Sequence, residues 1–135
     1  MIFIKINNFL MLILSVVFIS CNNNYKLEVE DLKCENLYHP LGIDKTIPRF
    51  SWKIKSNKNG TEQNAFQLLV ASDVSRLNEK DADLWNSGKV ISESTILVTY
   101  KGEKLNSGST ACWKVRVWDK ENNVSSWSEP ARFSI

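Results

Sequence analysis

The stretch WKVRVWDKENNVSSWSEP, from Trp113 to Pro130, decides the fold because it combines the clearest strand pattern in the chain with three of its five tryptophans. Trp113, Val115 and Val117 are large and apolar, whereas the residues between them are charged. Alternation with a period of two is typical of a strand that buries one face. The polar residues that follow predict a turn, so we expect the whole stretch to form a hairpin.

Trp118 departs from this alternation, because it falls on the polar face together with Arg116. Trp127 lies in the predicted returning strand, where we expect it to pass over the same face. One interpretation is a structural stack in which the Arg116 guanidinium lies against the tryptophan rings, a cation–π contact typically of about 0.5 to 1 kcal/mol at an exposed site. The other is a surface contact in which the exposed rings bind a ligand.

The rest of the chain repeats the strand pattern at short intervals. Leu27 and Val29 alternate with glutamates, and large apolar residues alternate again from Pro48 to Ile54. Residues 65–72 are apolar on both faces, which predicts a central strand. Asn59-Gly60 is a strong turn signal and is predicted to return the chain antiparallel. The sequence therefore predicts an all-β sandwich of about seven short antiparallel strands.

Residues 1–21 have the pattern of an export signal. Lys5 precedes an apolar run from Phe9 to Ile19, and Cys21 follows a small residue. The run is about half the roughly 20 residues that a helix needs to cross a bilayer, which disfavours an uncleaved anchor. The junction from Phe18 to Cys21 resembles a bacterial lipobox. We therefore predict a lipoprotein signal peptide with lipidation of Cys21, and the alternative is plain secretory cleavage.

The predicted signal also sets the domain limits. Residues 22–26 are expected to form a short polar tether, and residues 27–135 a single β-sandwich domain. Acyl chains attached to Cys21 would anchor the protein stably, since each buried methylene contributes about 0.8 kcal/mol. We expect the protein to be exported and lipid-anchored to the bacterial cell envelope, in the periplasm or on the outer-membrane surface.

Composition argues against several classes of function. The chain has 17 basic and 15 acidic side chains without an extended run of one sign, so no nucleic-acid partner is expected. His39 is the only histidine, and a metal ligand or general base needs partners that the sequence does not place beside it. Asp81 and Asp83 have part of a calcium-loop spacing but lack its repeat. No cofactor, metal or catalytic residue is predicted.

Cys34 and Cys112 are the cysteines outside the leader. An exported protein meets an oxidising compartment, so a disulfide between them is one expectation. Against it, the strand phase places Cys112 with Lys114 on the outer face of the sandwich rather than in the core. Disulfide geometry is demanding, and we favour two free thiols.

Six phrases of the chain occur together in one order. They are Glu35-Asn36-Leu37 with Pro40 to Asp44, Pro48 to Trp52, Ala65 to Ser72, Leu84 to Val90, Trp113 to Asp119, and Trp127 to Pro130. This combination resembles the N-terminal fibronectin-type-III-like domain of bacterial α-L-rhamnosidases of glycoside hydrolase family 78. The resemblance covers nearly all of residues 27–135, and it implies a fibronectin type III or immunoglobulin-like β-sandwich.

In enzymes of that family, an acid and a base, both carboxyl groups, lie in a helical (α/α)6 barrel that follows several β-domains. An inverting site needs the two groups about 6.5 to 9.5 Å apart. The resemblance therefore implies a non-catalytic N-terminal module of a surface-anchored rhamnosidase, expected as a truncated or split gene product. Its expected partners are the missing downstream domains and, through the lipid, the membrane. The alternative is an independent carbohydrate-binding or adhesion module that stacks rhamnose-containing glycans on Trp118 and Trp127.

Overall fold

The computed structural model describes residues 24–135, which form two packed antiparallel β-sheets. The strands are β1 (Leu27–Cys34), β2 (Arg49–Ser56), β3 (Gln63–Ala71), β4 (Trp85–Asn86), β5 (Val90–Ile91), β6 (Val98–Thr99), β7 (Thr110–Asp119) and β8 (Ala131–Ser134). The smaller sheet has the order β1-β2-β6, and the larger has the order β4-β3-β7-β8 with β5 also paired to β3. The predicted all-β sandwich is confirmed.

Strand β7 carries the inner face of the larger sheet. Trp113, Val115 and Val117 are fully buried, as their alternation predicts. The Phe50 ring of β2 lies 4.4 Å from the Trp113 ring, centroid to centroid, and thereby joins the two sheets. Trp52 is also buried, and its indole N–H donates to Gln63 Oε1 at 2.9 Å. Aromatic side chains of this size bury about 150 to 250 Å² each, so these residues contribute a large part of the main core.

The predicted hairpin forms, but its returning arm is only partly a strand. β8 pairs with β7 from Thr110↔Ser134 to Trp113↔Ala131, whereas the preceding residues make no regular ladder. Two serines complete the edge of β7 instead. Ser125 Oγ accepts from the Val117 N–H and Ser128 Oγ from the Val115 N–H, both at 3.0 Å. Hydroxyl groups thus satisfy backbone donors that a sheet would otherwise leave unpaired.

The Asn59-Gly60 turn does not make the predicted hairpin. β2 and β3, which flank it, lie in different sheets and do not pair with each other. Gly60 has φ of +73°, so the residue does adopt the left-handed conformation that the turn signal implies. A local turn signal specifies the bend but not the sheet that the next strand joins, and here the chain crosses from one sheet to the other.

A second, smaller core lies on the outward face of the larger sheet, which is the face on which the strand phase predicted Cys112. Cys112 is only 4% exposed, because it packs with Leu69, Ala71 and Leu77. Leu77 comes from the loop between β3 and β4, which folds back over this end of the sheet. The predicted outer face is correct for Cys112, but alternation does not show whether a loop covers that face.

Cys34 and Cys112 are free thiols, as favoured from the sequence. Cys34 belongs to the main core and Cys112 to the outer one. Burial, with a contribution from the adjacent Glu35 carboxylate, raises the pKa of the Cys34 thiol to about 12. Burial also raises the pKa of Cys112. Neither thiol is therefore activated, since the reactive species is the thiolate.

An ion pair fixes the long connection between β1 and β2. Arg49 Nη2 donates to Glu35 Oε2 at 2.7 Å, and Arg49 Nε donates to Glu35 Oε1 at 3.1 Å. The backbone N–H of Arg49 also donates to Glu35 Oε1, and Lys45 reaches the same carboxylate. Hydrogen bonds from the Arg49 side chain are the main reason that the pKa of Glu35 is lowered to about 2, against the opposing effect of burial.

We expect Glu35→Gln to destabilise the domain by about 2 kcal/mol at pH 7. One pKa unit corresponds to about 1.4 kcal/mol, and solvent screening at the partly exposed Arg49 and Lys45 reduces the full value. The folded-state pKa is depressed, so this stabilisation is present above the unfolded-state value of about 4.5 and is lost as the pH falls towards 2. The stability gap between wild type and variant, measured by urea unfolding, should therefore shrink by roughly half or more between pH 7 and pH 3. Glu30→Gln is the control, since Glu30 is largely exposed and its ion pair with Lys55 spans 3.7 Å. A gap that does not change with pH would contradict this explanation.

Candidate functional site: the outward face of strand β7

The structure brings together the three side chains that the sequence singled out. The Arg116 guanidinium carbon lies 4.5 Å from the centroid of the Trp127 ring and 5.2 Å from that of Trp118. Two lysines extend the array, with Lys114 Nζ 5.0 Å from the Trp127 centroid and Lys89 Nζ 4.8 Å from the Trp118 centroid. We call these five residues the tryptophan–cation stack. Lys114, Arg116 and Trp118 project from alternate positions of β7, which is why their side chains share one face.

Hydrogen bonds hold the central guanidinium of the stack in place. Arg116 Nε donates to Gln67 Oε1 at 3.0 Å, and Gln67 lies directly opposite Arg116 on β3. Arg116 Nη2 donates to Glu79 Oε1 at 2.7 Å. Gln67 in turn donates to Glu79 and to Asn86 Oδ1, both at 3.0 Å. The guanidinium therefore has fixed acceptors in addition to its two rings.

The stack brings three positively charged side chains, those of Lys89, Lys114 and Arg116, close to two tryptophan rings. Burial lowers the pKa of Lys114, Glu79 acts in the opposite direction, and the nearby positive charge of Arg116 lowers it further. Each tryptophan ring lies within about 5 Å of two cationic groups, the range in which cation–π attraction operates. Because protein side chains already contact both rings, the geometry favours a structural stack over an open platform for a sugar ring.

Sequence reasoning missed Gln67, Glu79, Lys89 and Lys114 as members of this site. Lys114 was recoverable, because it shares the phase of Arg116 on the same strand. Gln67 offered a weaker signal, as the one polar residue within the apolar run of β3. Glu79 and Lys89 lie in connections between strands, where periodicity gives no information on side-chain placement.

The remaining candidates from the sequence have ordinary structural roles. His39 Nδ1 accepts from the Arg132 backbone N–H at 3.2 Å. Asp83 binds the Ser72 backbone and hydroxyl, and Asp81 accepts from Asn78. Within residues 24–135 there is no cluster of three or more His, Cys, Asp or Glu side chains that could hold a metal ion. Cys21 and its predicted lipidation lie outside the described residues.

We expect Trp127→Leu and Arg116→Met to be coupled energetically, because the Trp127 ring lies over the guanidinium. A double-mutant cycle measured by urea unfolding should give a coupling free energy of about 1 kcal/mol. Ile96→Ser is the control partner for Arg116→Met, since Ile96 is an exposed residue in the connection between β5 and β6 and should give additive effects. A coupling near zero between positions 116 and 127 would show that the contact between Arg116 and Trp127 does not stabilise the fold.

Comparison with known proteins places this sandwich in a family. The model of the Rha78A-like, N-terminal immunoglobulin domain matches residues 29–135. An α-L-rhamnosidase of Formosa agariphila is 39% identical over 131 residues, and the match covers 94% of this chain and 14% of the relative.

Solved structures agree with this assignment. The crystal structure of Streptomyces avermitilis α-L-rhamnosidase complexed with L-rhamnose has a TM-score of 0.75 at 39% identity, covering 79% of this chain and 10% of that one. The α-L-rhamnosidase from Dictyoglumus thermophilum also has a TM-score of 0.75, at 37% identity, covering 78% and 12%. The present chain thus spans only a small fraction of the relatives that it matches. Residues 29–135, which match the family model, nevertheless include nearly the whole sandwich. The chain therefore belongs to the Rha78A-like N-terminal immunoglobulin domain family.

Proposed function

We propose that this chain acts as the non-catalytic N-terminal module of a surface-anchored bacterial α-L-rhamnosidase, where it supports and positions the domains that carry out hydrolysis. The observation that carries the proposal is the extent of the family match. It runs through residues 29–135, yet the matched part is 14% of the length of the Formosa agariphila α-L-rhamnosidase. The module thus corresponds to a small portion of a much larger protein.

The chemistry of the described residues supports a non-catalytic role. A glycosidase needs a general acid whose pKa is raised, together with a second carboxylate across the scissile bond. The perturbed carboxyl groups of residues 24–135 all have lowered pKa values; they are Asp31, Glu35, Glu62, Asp73, Asp83 and Asp119. Hydrogen bonds and nearby cations keep these groups ionised, which is the opposite of what a proton donor requires.

We therefore expect residues 24–135 to show no turnover of p-nitrophenyl α-L-rhamnoside. The positive control is the Formosa agariphila α-L-rhamnosidase, assayed under the same conditions. Turnover by the purified module that a single carboxylate-to-amide substitution abolishes would overturn the proposal, since it would reveal an acid–base site within the sandwich.

The alternative role, an independent carbohydrate-binding or adhesion module, depends on exposed aromatic rings. Trp118 and Trp127 are half-buried and already contact Arg116 and a lysine each. A rhamnose-containing glycan would have to displace these contacts to stack on either ring. The arrangement therefore favours a structural role for the stack.

Surface anchoring is the second part of the proposal, and it rests on the leader. The match to the Formosa agariphila relative covers 94% of this chain, a share that residues 27–135 alone are too few to supply. The start of the described chain is also fixed to the sandwich. Tyr25 donates to Asp119 Oδ2 at 2.6 Å, and Asn57 pairs with the backbone of Asn24 and Lys26. A lipid on Cys21 would therefore hold this end of the sandwich close to the membrane.

We expect cells that express the full chain to incorporate labelled palmitate into the wild-type protein, because the junction from Phe18 to Cys21 resembles a lipobox. Cys21→Ala should lose the label, because the lipidated thiol is absent. Cys34→Ala is the matched control and should keep it, since Cys34 is buried in the core. Equal labelling of the wild type and Cys21→Ala would exclude lipidation at Cys21 and leave the module without its proposed anchor.

A further inference from the structure

An open depression lies on the outward face of the smaller sheet, and its volume is about 410 Å³. Ser51 and Lys53 project from this face, because they alternate along β2 with the core residues Phe50 and Trp52. The volume is within the range of about 300 to 1,000 Å³ that is usual for small-molecule pockets. We call it the β2 depression, and the residues that matter here are Asp31, Asn36, Ser51, Lys53, Thr95 and Ile96.

Irregular backbone forms the two sides of the β2 depression. On one side β1 has a bulge, and Asp31 within it has φ of +58°. On the other side Leu97 has φ of +52°, which is uncommon for a residue other than glycine. The Trp52 N–H donates to the Thr95 carbonyl at 2.9 Å, and the Leu97 N–H donates to Ser51 Oγ at 2.8 Å. The depression is therefore preformed, and bulges of this kind often re-aim a side chain beside a functional site.

The bulge brings a carboxylate to the β2 depression in a fixed position. Lys53 Nζ lies 2.7 Å and Lys33 Nζ 4.0 Å from Asp31 Oδ2, and the Tyr38 hydroxyl donates to Asp31 Oδ1. Hydrogen bonds from Lys53 and Tyr38 lower the pKa of Asp31, so the group is an ionised acceptor. A carboxylate has about four acceptor sites, and these contacts leave some of them open to a further donor.

Three other polar groups of the β2 depression have hydrogen-bonding capacity that the fold does not use. Within residues 24–135, neither the side-chain amide of Asn36 nor the hydroxyl of Thr95 makes a hydrogen bond. Ser51 Oγ accepts from Leu97, but its own proton has no acceptor among the same residues, although Ser51 is only 9% exposed. Nearly buried polar groups are almost always hydrogen-bonded, so an oxygen atom that enters the depression must accept this proton.

The lining indicates the chemical class of the ligand. Both lysines lie within ion-pair distance of Asp31, so neither ammonium is an unpaired site for an anion. A purely apolar ligand would leave the unused donors and acceptors unsatisfied. Ile96 is 68% exposed and offers an apolar contact beside these polar groups. A sugar ring combines C–H groups with hydroxyls that both donate and accept, and it therefore matches this lining.

We propose that the β2 depression binds a neutral sugar unit of a glycan, with Ile96 against its C–H groups and with Asp31, Asn36, Ser51 and Thr95 hydrogen-bonded to its hydroxyls. This inference goes beyond the proposed function, because it assigns a ligand to the module itself. Only the choice of a rhamnoside as the probe rests on the proposed function. Such a site would hold the glycan at the sandwich, on the sheet opposite the tryptophan–cation stack.

The first test is a titration of isotope-labelled residues 24–135 with methyl α-L-rhamnoside, followed by amide chemical shifts. These residues contain both sheets and the main core, so they can be studied alone. We expect saturating shift changes at Asn36, Lys53 and Ile96, with a dissociation constant of about 1 to 10 mM, the range for a ligand of this size. Saturating changes centred on Arg116 and Trp127 instead, or none up to about 100 mM of the probe, would overturn the assignment.

Two variants then remove single polar groups from the β2 depression. Thr95→Val keeps the shape of the side chain, and Asn36→Gly keeps a residue that tolerates the φ of +65° at this position. Each should weaken the affinity about threefold to tenfold, the usual contribution of one hydrogen bond, and should unfold at nearly the wild-type temperature. The matched control is Thr99→Val, because Thr99 is an exposed threonine of β6 in the same sheet. Equal weakening by Thr95→Val and Thr99→Val, or no weakening by either variant of the depression, would contradict the proposal.

These measurements separate the sugar site from the proposed function. If the module neither binds the rhamnoside nor hydrolyses p-nitrophenyl α-L-rhamnoside, the sugar site is wrong and the non-catalytic supporting role stands. If the module hydrolyses that substrate through an acid–base pair, the proposed function fails. The shift changes and the variants at positions 36 and 95 still decide in that case whether the β2 depression binds sugar.

Discussion

The pairing of β3 with β7 is the constraint on which the rest of the structure depends. The two strands run antiparallel in register through most of their length, from Ala65↔Trp118 to Ala71↔Cys112. This register places Val70 opposite Trp113 and Gln67 opposite Arg116. A slip of one residue would turn every side chain to the other face, which would expose Trp113 and bury Arg116. The main core and the outer stack therefore specify the same register from opposite sides of the sheet.

The outward face of this strand pair is covered in two different ways. Near Trp118, the tryptophan–cation stack covers this face, and its charged side chains make cation–π contacts with the rings and hydrogen bonds with neighbouring side chains. Towards Cys112 the cover is apolar, because Leu77 from the loop after β3 packs on the sheet. Trp127 contacts both regions, since its ring lies over Arg116 and also packs against the outer core. The returning arm of the hairpin thus connects the tryptophan–cation stack with the outer core, although it pairs as a strand only in β8, from Ala131 to Ser134.

The sequence predicted what depends on neighbouring residues and missed what depends on distant ones. Alternation in β7 identified both the buried Trp113 and the outward Arg116, because a strand turns successive side chains to opposite faces. It also placed Cys112 on the outer face, but it did not predict the burial of Cys112, because the covering Leu77 comes from a connection whose path is set by tertiary packing. The Asn59-Gly60 turn shows the same limit: the bend was predicted correctly, but the identity of the next sheet depends on long-range pairing. Glu79 could not be placed at the site for the same reason.

The two ends of the domain lie at opposite ends of β7. Tyr25, at the start of the described chain, is bonded to Asp119 at the last position of that strand. Ser134 pairs with Thr110 at its first position. With a rise of about 3.3 Å per residue, strand β7 separates these two points by about 30 Å. Because the strand is paired with β3 over most of its length and buried on its inner face, it cannot shorten or bend without loss of the core. A sandwich built in this way holds Tyr25 and Ser134 at a fixed distance, which is a mechanical property that requires no catalytic group.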